Sequence, residues 1–193
     1  MSDHHEDGEL AAQTRHVEAL LEARGLLDAD ELDRALEAFL AKASPAQGAR
    51  VAAHAWVDDG FRDRLLDDAT TAIEEIGLSL SGGIKPQRLK VVANSPTTHN
   101  VIVCTLCSCY PIGLLGPSPT WYKSEAYRSR VVRDPRGVLA DFGTTLPDDV
   151  EITVWDASAE TRYMVLPAKP ADLPEPELAA MVTRNGLIGT ALL

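Results

Sequence analysis

The chain has 193 residues, a mass of 20.8 kDa and a formal net charge of −11. Its 45% hydrophobic and 24% charged residues are ordinary for a globular protein, and the length suffices for one core with a helical extension. The acidic charge argues against nucleic acid or an anionic membrane as the main partner, because like charges repel.

Residues 1–7 are polar and acidic and lack the apolar core of a signal peptide. No stretch of the sequence approaches the length of a transmembrane span. We therefore expect a cytoplasmic protein. In that compartment thiols stay reduced, and clustered cysteines more often bind metals or carry out redox chemistry than form disulfides.

The first part of the chain predicts a series of helices. Capping patterns at Asp28 and Ser44 precede apolar residues at helical spacing. A third helix is expected from about Asp59 to a stop at Gly77. This part is rich in Ala, Leu, Asp and Glu, so the sequence predicts a helical arm over residues 1–80.

The composition changes after a predicted linker at residues 79–83, and residues 84–193 predict an α+β domain. Four short β-branched runs predict strands, at residues 89–93, 99–103, 151–155 and 161–166, the last two as a strand pair. Helices are expected to start near Ser124, Asp134 and Glu175. Glycines and prolines after residue 110 predict a loop without regular structure.

All three cysteines of the chain, Cys104, Cys107 and Cys109, fall within six residues directly after the second predicted strand. A structural zinc site normally needs a fourth Cys or His, usually from a second pair of ligands, and the sequence has no such pair. Cys107 and Cys109 flank Ser108, so a metal bound by both lies against the backbone amides of Ser108 and Cys109. The pattern predicts a claw of three sulfurs and two amides, which suits a trivalent ion better than zinc.

The cysteines have two other possible interpretations, as a redox or disulfide pair and as buried apolar groups. Cys104 and Cys107 alone would suit a redox pair or a regulatory disulfide, but Cys109 and the absence of a thioredoxin-like βαβ pattern favour a metal. Three buried thiols that act only as small apolar groups are disfavoured by their clustering. The hydroxyl groups of Thr105 and Ser108 are expected to form hydrogen bonds to the sulfurs.

The segment from Val103 to Pro111, VCTLCSCYP, resembles the metal-binding motif of nitrile hydratase α subunits. Further segments resemble the family, at residues 48–51, 55–56, 95–100, 121–123, 127–132, 154–156, 162–167 and 182–184. The resemblance covers essentially the whole chain. It implies a layered α-β-β-α domain after the arm, with the metal loop following a strand. Thr105 resembles the cobalt-type motif, which implies Co(III) rather than iron.

The resemblance also implies the roles of the loop residues. Cys104, Cys107 and Cys109 are the expected sulfur ligands, and Ser108 and Cys109 contribute amide nitrogens. Cys107 is expected as a sulfinic acid and Cys109 as a sulfenic acid, and Cys107, Ser108 and Cys109 are the expected catalytic residues. The implied reaction is the lyase-class hydration of a nitrile to an amide. The implied partners are a β subunit or two β-like chains, which complete the active site, and an activator protein that delivers the metal.

The chain departs from the family after the last cysteine. Family members commonly have Tyr-Pro-Trp-Pro there, whereas this chain has Tyr110, Pro111, Ile112 and Gly113. We take Tyr110 and Ile112 as candidate substrate-pocket residues. The loss of an indole predicts a larger pocket and a bulky or specialised nitrile, such as the nucleoside nitrile toyocamycin. The alternative is that Ile112 only repacks a subunit interface.

Two alternative functions stay open at this point. The metal subunit of thiocyanate hydrolase has a similar cysteine loop, although Tyr110 and Pro111 favour nitrile hydratase. A non-catalytic thiol or metal-binding module, with Cys104 and Cys107 cycling through a disulfide, is the alternative from another class. A group of basic residues after the loop is either a solvated face or an interface or support for the site, at Lys123, Arg128, Arg130, Arg133 and Arg136.

Overall fold

The computed structural model describes residues 3–80 and 87–193, with side chains from residue 8 onwards. The described chain divides into two compact units, one up to Ala41 and one from Lys42 to Leu193. The predicted linker lies largely outside the described residues, and the predicted domains 1–80 and 84–193 stay a prediction. No helix among the described residues is long and apolar enough to cross a membrane.

The first unit contains two helices, α1 (Asp3–Ala23) and α2 (Ala29–Lys42). Gly25, where φ is +66°, lies in the turn that ends α1. The side chain of Asp28 accepts a hydrogen bond of 2.9 Å from the Glu31 N–H, which confirms the predicted capping pattern. No residue of α2 is buried, and Leu36 stays half exposed. These two helices therefore hold little core of their own.

Three helices open the second unit, α3 (Pro45–Val57), α4 (Asp59–Asp67) and α5 (Ala69–Glu75). Ser44 caps α3 as predicted, accepting a hydrogen bond of 3.2 Å from the Ala46 N–H. The prediction of a single helix from Asp59 to Gly77 is wrong, because the helix is interrupted at Asp68. The Asp68 carboxylate accepts bonds from the Thr71 N–H and hydroxyl, so it caps a new helix instead of continuing the old one.

The four predicted strands are present, as β1 (Arg88–Ala93), β2 (Thr98–Val103), β3 (Glu151–Asp156) and β4 (Thr161–Leu166). The predicted pairing of the last two strands is wrong. Instead β1 pairs with β4 and β2 with β3, each in parallel. Parallel neighbours need long crossover connections, and the helices between β2 and β3 provide one of them. The predicted α+β class is confirmed.

The remaining helices are α6 (Ile112–Leu115), α7 (Thr120–Lys123), α8 (Glu125–Val131), α9 (Pro135–Asp141), α10 (Glu175–Met181) and α11 (Arg184–Ile188). The starts of α8, α9 and α10 agree with the sequence prediction. The prediction of an irregular loop after residue 110 is wrong in part, because α6 and α7 each form one helical turn there. Helix α11 follows α10 after a short break and was not predicted.

Strand β2 carries the cysteine loop and is fixed on both sides. Val101, Ile102 and Val103 are buried in the core. Gly189, with φ +88°, approaches β2 so closely that a Cβ there would lie 1.9 Å from the Asn100 carbonyl oxygen. The His99 Nε2–H donates a hydrogen bond of 2.8 Å to the Gly189 carbonyl. The turn after α11 therefore holds the start of the strand that delivers the cysteines.

Candidate metal centre

The structure brings the three thiols of the cysteine loop together. The Cys107 Sγ lies 3.1 Å from the Cys104 Sγ and 2.9 Å from the Cys109 Sγ, and all three sulfurs lie within 4.8 Å of one another. Cys104, at the end of β2, is fully buried, Cys109 is half-buried and Cys107 is exposed. The cluster is therefore anchored in the core at one end and open to solvent in the middle.

The sulfurs differ in their electrostatic surroundings. Hydrogen bonds from the Cys109 and Cys104 thiols lower the pKa of the Cys107 thiol, and the backbone N–H groups of Cys109 and Ser108 lower it further. Burial raises the pKa of the Cys109 thiol to about 12, against the opposing charge of Arg162. The amides of Ser108 and Cys109, the two expected nitrogen donors, therefore lie close to the Cys107 sulfur.

Thr105 is held by two residues from outside the loop. Its N–H and its hydroxyl donate hydrogen bonds of 2.9 and 2.5 Å to the carboxylate of Asp156, at the end of β3. Its carbonyl accepts a bond of 3.2 Å from an Arg128 amino group. The expectation that the Thr105 hydroxyl bonds to a sulfur is wrong, and the Ser108 hydroxyl has no hydrogen-bond partner among the described residues.

Sequence reasoning missed Asp156, although a usable signal was present. In the parallel pairing of β2 with β3, Asp156 lies opposite Val103, the last residue before the cysteine loop. The carboxyl ends of parallel neighbours meet at one sheet edge, so an acidic residue ending β3 points to this site. The expected pairing of β3 with β4 conceals this neighbour, because it does not bring β3 beside β2.

Two buried tyrosines of α7 and α8 contact the backbone on either side of the cluster. The Tyr122 hydroxyl donates a hydrogen bond of 3.0 Å to the Cys109 carbonyl, and the Tyr127 hydroxyl donates one of 2.7 Å to the Ile102 carbonyl. Burial raises the pKa of both phenols, so they remain protonated donors. Neither tyrosine was singled out for this contact by the sequence.

The two candidate pocket residues occupy different environments. Tyr110 is buried, its ring packs edge-on against Tyr122 at 5.0 Å, and its hydroxyl has no partner among the described residues. Ile112, the first residue of α6, is 37% exposed. Leu106 at the tip of the loop is 93% exposed. Of the two candidates, only Ile112 presents its side chain to the solvent beside the loop.

The basic residues after the loop differ in what they contact. Arg128 donates to the Thr105 carbonyl of the loop, whereas Arg130 forms exposed ion pairs with Asp134 and Asp141. Arg136 donates hydrogen bonds to three backbone carbonyls of the segment before β3. Lys123 and Arg133 form no ion pair among the described residues. Among these five residues, direct support of the loop is therefore seen for Arg128.

Comparison with known proteins identifies the family of the chain. The family described as nitrile hydratase, alpha chain, matches residues 8–191. The chain belongs to this family. The resemblance seen in the cysteine motif is therefore confirmed over nearly the full sequence.

The similar proteins include cobalt-containing and Fe-type nitrile hydratases and a thiocyanate hydrolase subunit. The chain is 49% identical over 187 residues to the low-molecular weight cobalt-containing nitrile hydratase subunit alpha of Rhodococcus rhodochrous, covering 95% of this chain and 89% of the relative. It is 40% identical over 187 residues to the thiocyanate hydrolase subunit gamma of Thiobacillus thioparus, covering 91% and 76%. An Fe-type nitrile hydratase structure from Comamonas testosteroni Ni1 superposes with a TM-score of 0.87 at 36% identity, covering 96% and 91%.

Proposed function

We propose that this chain is the metal-bearing α subunit of a nitrile hydratase, which hydrates a nitrile to the corresponding amide. One observation carries the proposal: three thiols converge within 4.8 Å on one short loop, in a chain of this family. Soft thiolates at this spacing suit a transition-metal ion. The chain is accordingly an enzyme subunit and not a passive thiol carrier.

The donor set fits the implied ion. Cys104, Cys107 and Cys109 would hold it through sulfur, and Ser108 and Cys109 through their amide nitrogens. When bound, a trivalent ion supplies Lewis-acid activation of a nitrile and of water. The chain's own contribution is to orient these five donors: β2 fixes Cys104, while Asp156 and Arg128 fix Thr105, the residue that opens the loop.

Cobalt is the proposed metal. The cobalt-containing relative shares 49% of its aligned residues with this chain, against 36% for the Fe-type structure. Thr105 also supports cobalt, because this residue of the loop resembles the cobalt-type motif. Metal analysis of the purified complex tests the assignment: cobalt at about one ion per chain supports it, and iron in its place contradicts it.

Oxidised ligands are part of the proposal, with Cys107 as a sulfinic acid and Cys109 as a sulfenic acid. The exposure of Cys107 and the half-exposure of Cys109 give an oxidant access to both, whereas the buried Cys104 is protected and stays a thiolate. Intact mass measurement of the metal-loaded chain should reveal three added oxygens. Peptide mapping should assign two of them to Cys107 and one to Cys109.

A bulky or specialised nitrile is the proposed substrate, such as a nucleoside nitrile of the toyocamycin type. Ile112 supports this proposal because it is exposed beside the loop and is smaller than the indole common at this place in the family. In the alternative, Ile112 packs against a partner chain. The preference of the enzyme for large or small nitriles would then not depend on this residue.

Partner chains complete the proposed enzyme. We propose a β subunit or two β-like chains over the open side of the loop, and an activator protein that delivers the metal in the cytoplasm. The exposure of Leu106 and Cys107 supports a covering partner, because a nearly fully exposed leucine at a functional loop is typical of a surface that becomes buried. The isolated chain is therefore expected to be a poor catalyst.

One assay separates the proposed function from its alternatives. The chain is co-produced with its partner chains, and the complex is given a nitrile and, separately, thiocyanate. Amide formation supports nitrile hydratase, whereas thiocyanate hydrolysis alone would support the second candidate, which the 40% identity to the gamma subunit favours. Absence of cobalt and of added oxygens, together with a Cys104–Cys107 disulfide, would support the non-catalytic thiol module.

A further inference from the structure

Three donors from one short segment of the chain bond to carbonyls that flank the cysteine loop. Tyr127 bonds to Ile102, in the strand before the loop, and Arg128 bonds to Thr105, where the loop begins. Tyr122 bonds to Cys109, where the loop ends. Arg128 and Tyr122 therefore bond to the loop itself, whereas Tyr127 bonds to the core strand that precedes it.

Two of these contacts fix the backbone at the ends of the loop. A peptide unit is planar, so a hydrogen bond to its carbonyl oxygen restrains the orientation of the whole unit. Arg128 restrains the unit that joins Thr105 to Leu106, and Tyr122 restrains the unit that joins Cys109 to Tyr110. We call these two peptide units the end planes of the loop.

Between the end planes, the loop makes few contacts of its own. Leu106, Cys107 and Ser108 are exposed, and the Cys107 N–H bonds only to the Cys104 sulfur among the described residues. The amides of Ser108 and Cys109, the two expected nitrogen donors, therefore depend on the end planes for their orientation.

We propose that Tyr122 and Arg128 are positioning residues for the metal centre, because they hold the two end planes and thereby aim the sulfur and amide donors at one point. The inference rests on the proposed function. It extends that function to residues that touch neither the sulfurs nor a substrate. Their action is indirect, through the backbone carbonyls of Thr105 and Cys109.

The two residues differ in how specifically they act. Arg128 uses one amino group for its bond to Thr105, and its buried Nε has no partner among the described residues. A lysine can supply one such donor, so Arg128→Lys should restore what Arg128→Gln loses. Tyr122 uses only its hydroxyl, and Tyr122→Phe keeps the ring that packs against Tyr110 and Trp121.

Tyr127→Phe is the matched control. It removes the same hydroxyl group from the same segment, with a similarly buried ring, but its hydrogen bond goes to the β2 backbone and not to an end plane. A loss of general stability should therefore appear in both tyrosine variants. An effect on the metal loop should appear only when Tyr122 is changed.

The experiment measures hydrogen exchange of the loop amides in the full chain before cobalt is added, and cobalt affinity of the complex with its partner chains. Tyr122→Phe and Arg128→Gln should speed exchange over residues 105–110 and weaken cobalt binding about tenfold to a hundredfold, as is typical when groups that orient metal ligands are removed. The visible absorption of the cobalt–sulfur centre should also shift in these two variants. Arg128→Lys and Tyr127→Phe should resemble the wild type in all three measurements.

Two results would overturn the inference. One is a Tyr122→Phe chain whose loop exchanges and binds cobalt like the wild type. The other is a Tyr127→Phe chain that changes the loop as much as Tyr122→Phe does, since the role would then be general stability. A wild-type complex that takes up no cobalt would refute the proposed function instead, while the exchange comparison would still decide whether the end planes are held.

Discussion

At the scale of single residues, Thr105 is bound at each of its polar groups by a residue from another element. Asp156 accepts from its N–H and its hydroxyl, and Arg128 donates to its carbonyl. Thr105 therefore connects the end of β3 to α8 through hydrogen bonds. A carboxylate is suited to this contact because each of its two oxygens can accept one of the two hydrogen bonds from Thr105.

Replacing Asp156 with alanine tests this contact. Asp156→Ala removes both acceptor oxygens, so the Thr105 N–H and hydroxyl both lose their partner. We expect cobalt affinity to fall about tenfold. Asp148→Ala, at an exposed acid without an ion pair among the described residues, is the control and should bind cobalt like the wild type. Equal affinities of the two variants would contradict the role of Asp156.

Ile112 is the residue at which substrate size can be tested. Ile112→Trp places an indole beside the loop and should lower kcat/KM for a bulky aromatic nitrile about tenfold more than for a small aliphatic one. Leu173→Trp adds the same side chain at another position with 37% exposure and should leave this ratio unchanged. An unchanged ratio in Ile112→Trp would favour the subunit-interface interpretation.

At the scale of elements, the positions of the strands were predictable and their partners were not. The β-branched runs of β3 and β4 are local signals, so they appear in the sequence. The pairing depends on contacts between β1 and β4 and between β2 and β3, which lie far apart along the chain. The three thiols were placed correctly because six adjacent residues hold them, whereas Asp156 and Tyr122 reach the loop only through the fold.

The contact between the last turn and β2 gives a prediction at this scale. Gly189→Ala combines φ +88° with a Cβ 1.9 Å from the Asn100 carbonyl oxygen. Gly143→Ala has a similar φ of +79° but nothing within 4 Å. We expect Gly143→Ala to lower the free energy of unfolding by about 1 kcal/mol and Gly189→Ala by about 3 kcal/mol. Urea denaturation measures the free energy of unfolding of both variants. Equal decreases would mean that β2 shifts to accommodate the added methyl group.

At the scale of the whole molecule, His99 links the end of the chain to its central strands. The ring is buried, its Nε2–H donates to the Gly189 carbonyl, and Asn94 lies 3.3 Å from its Nδ1. Burial lowers the pKa of His99 below its ordinary value of 6.5, so the folded chain holds the imidazole neutral. The Nε2–H thus joins β2 to the turn after α11, and Nδ1 contacts Asn94 in the turn between β1 and β2.

The stability of the chain should therefore decrease in acid. The unfolded chain binds a proton at His99 from about pH 6.5 downwards, while the folded chain resists protonation until its lower pKa is reached. The stabilisation is complete above pH 6.5 and is lost as the pH falls below it. Urea denaturation between pH 7 and pH 5 measures this slope. His99→Gln should flatten the slope, and His16→Gln, at an exposed position of α1, should leave it unchanged.

The spacing of the cysteines has a consequence for how the chain can change in length. Cys104 is fixed by β2, and the Cys109 carbonyl is fixed by Tyr122, so both ends of the hexapeptide have set positions. The insertion or deletion of a residue between these two ends would therefore move a sulfur out of the cluster. We therefore expect homologous chains to differ within this loop by substitution and not by insertion or deletion.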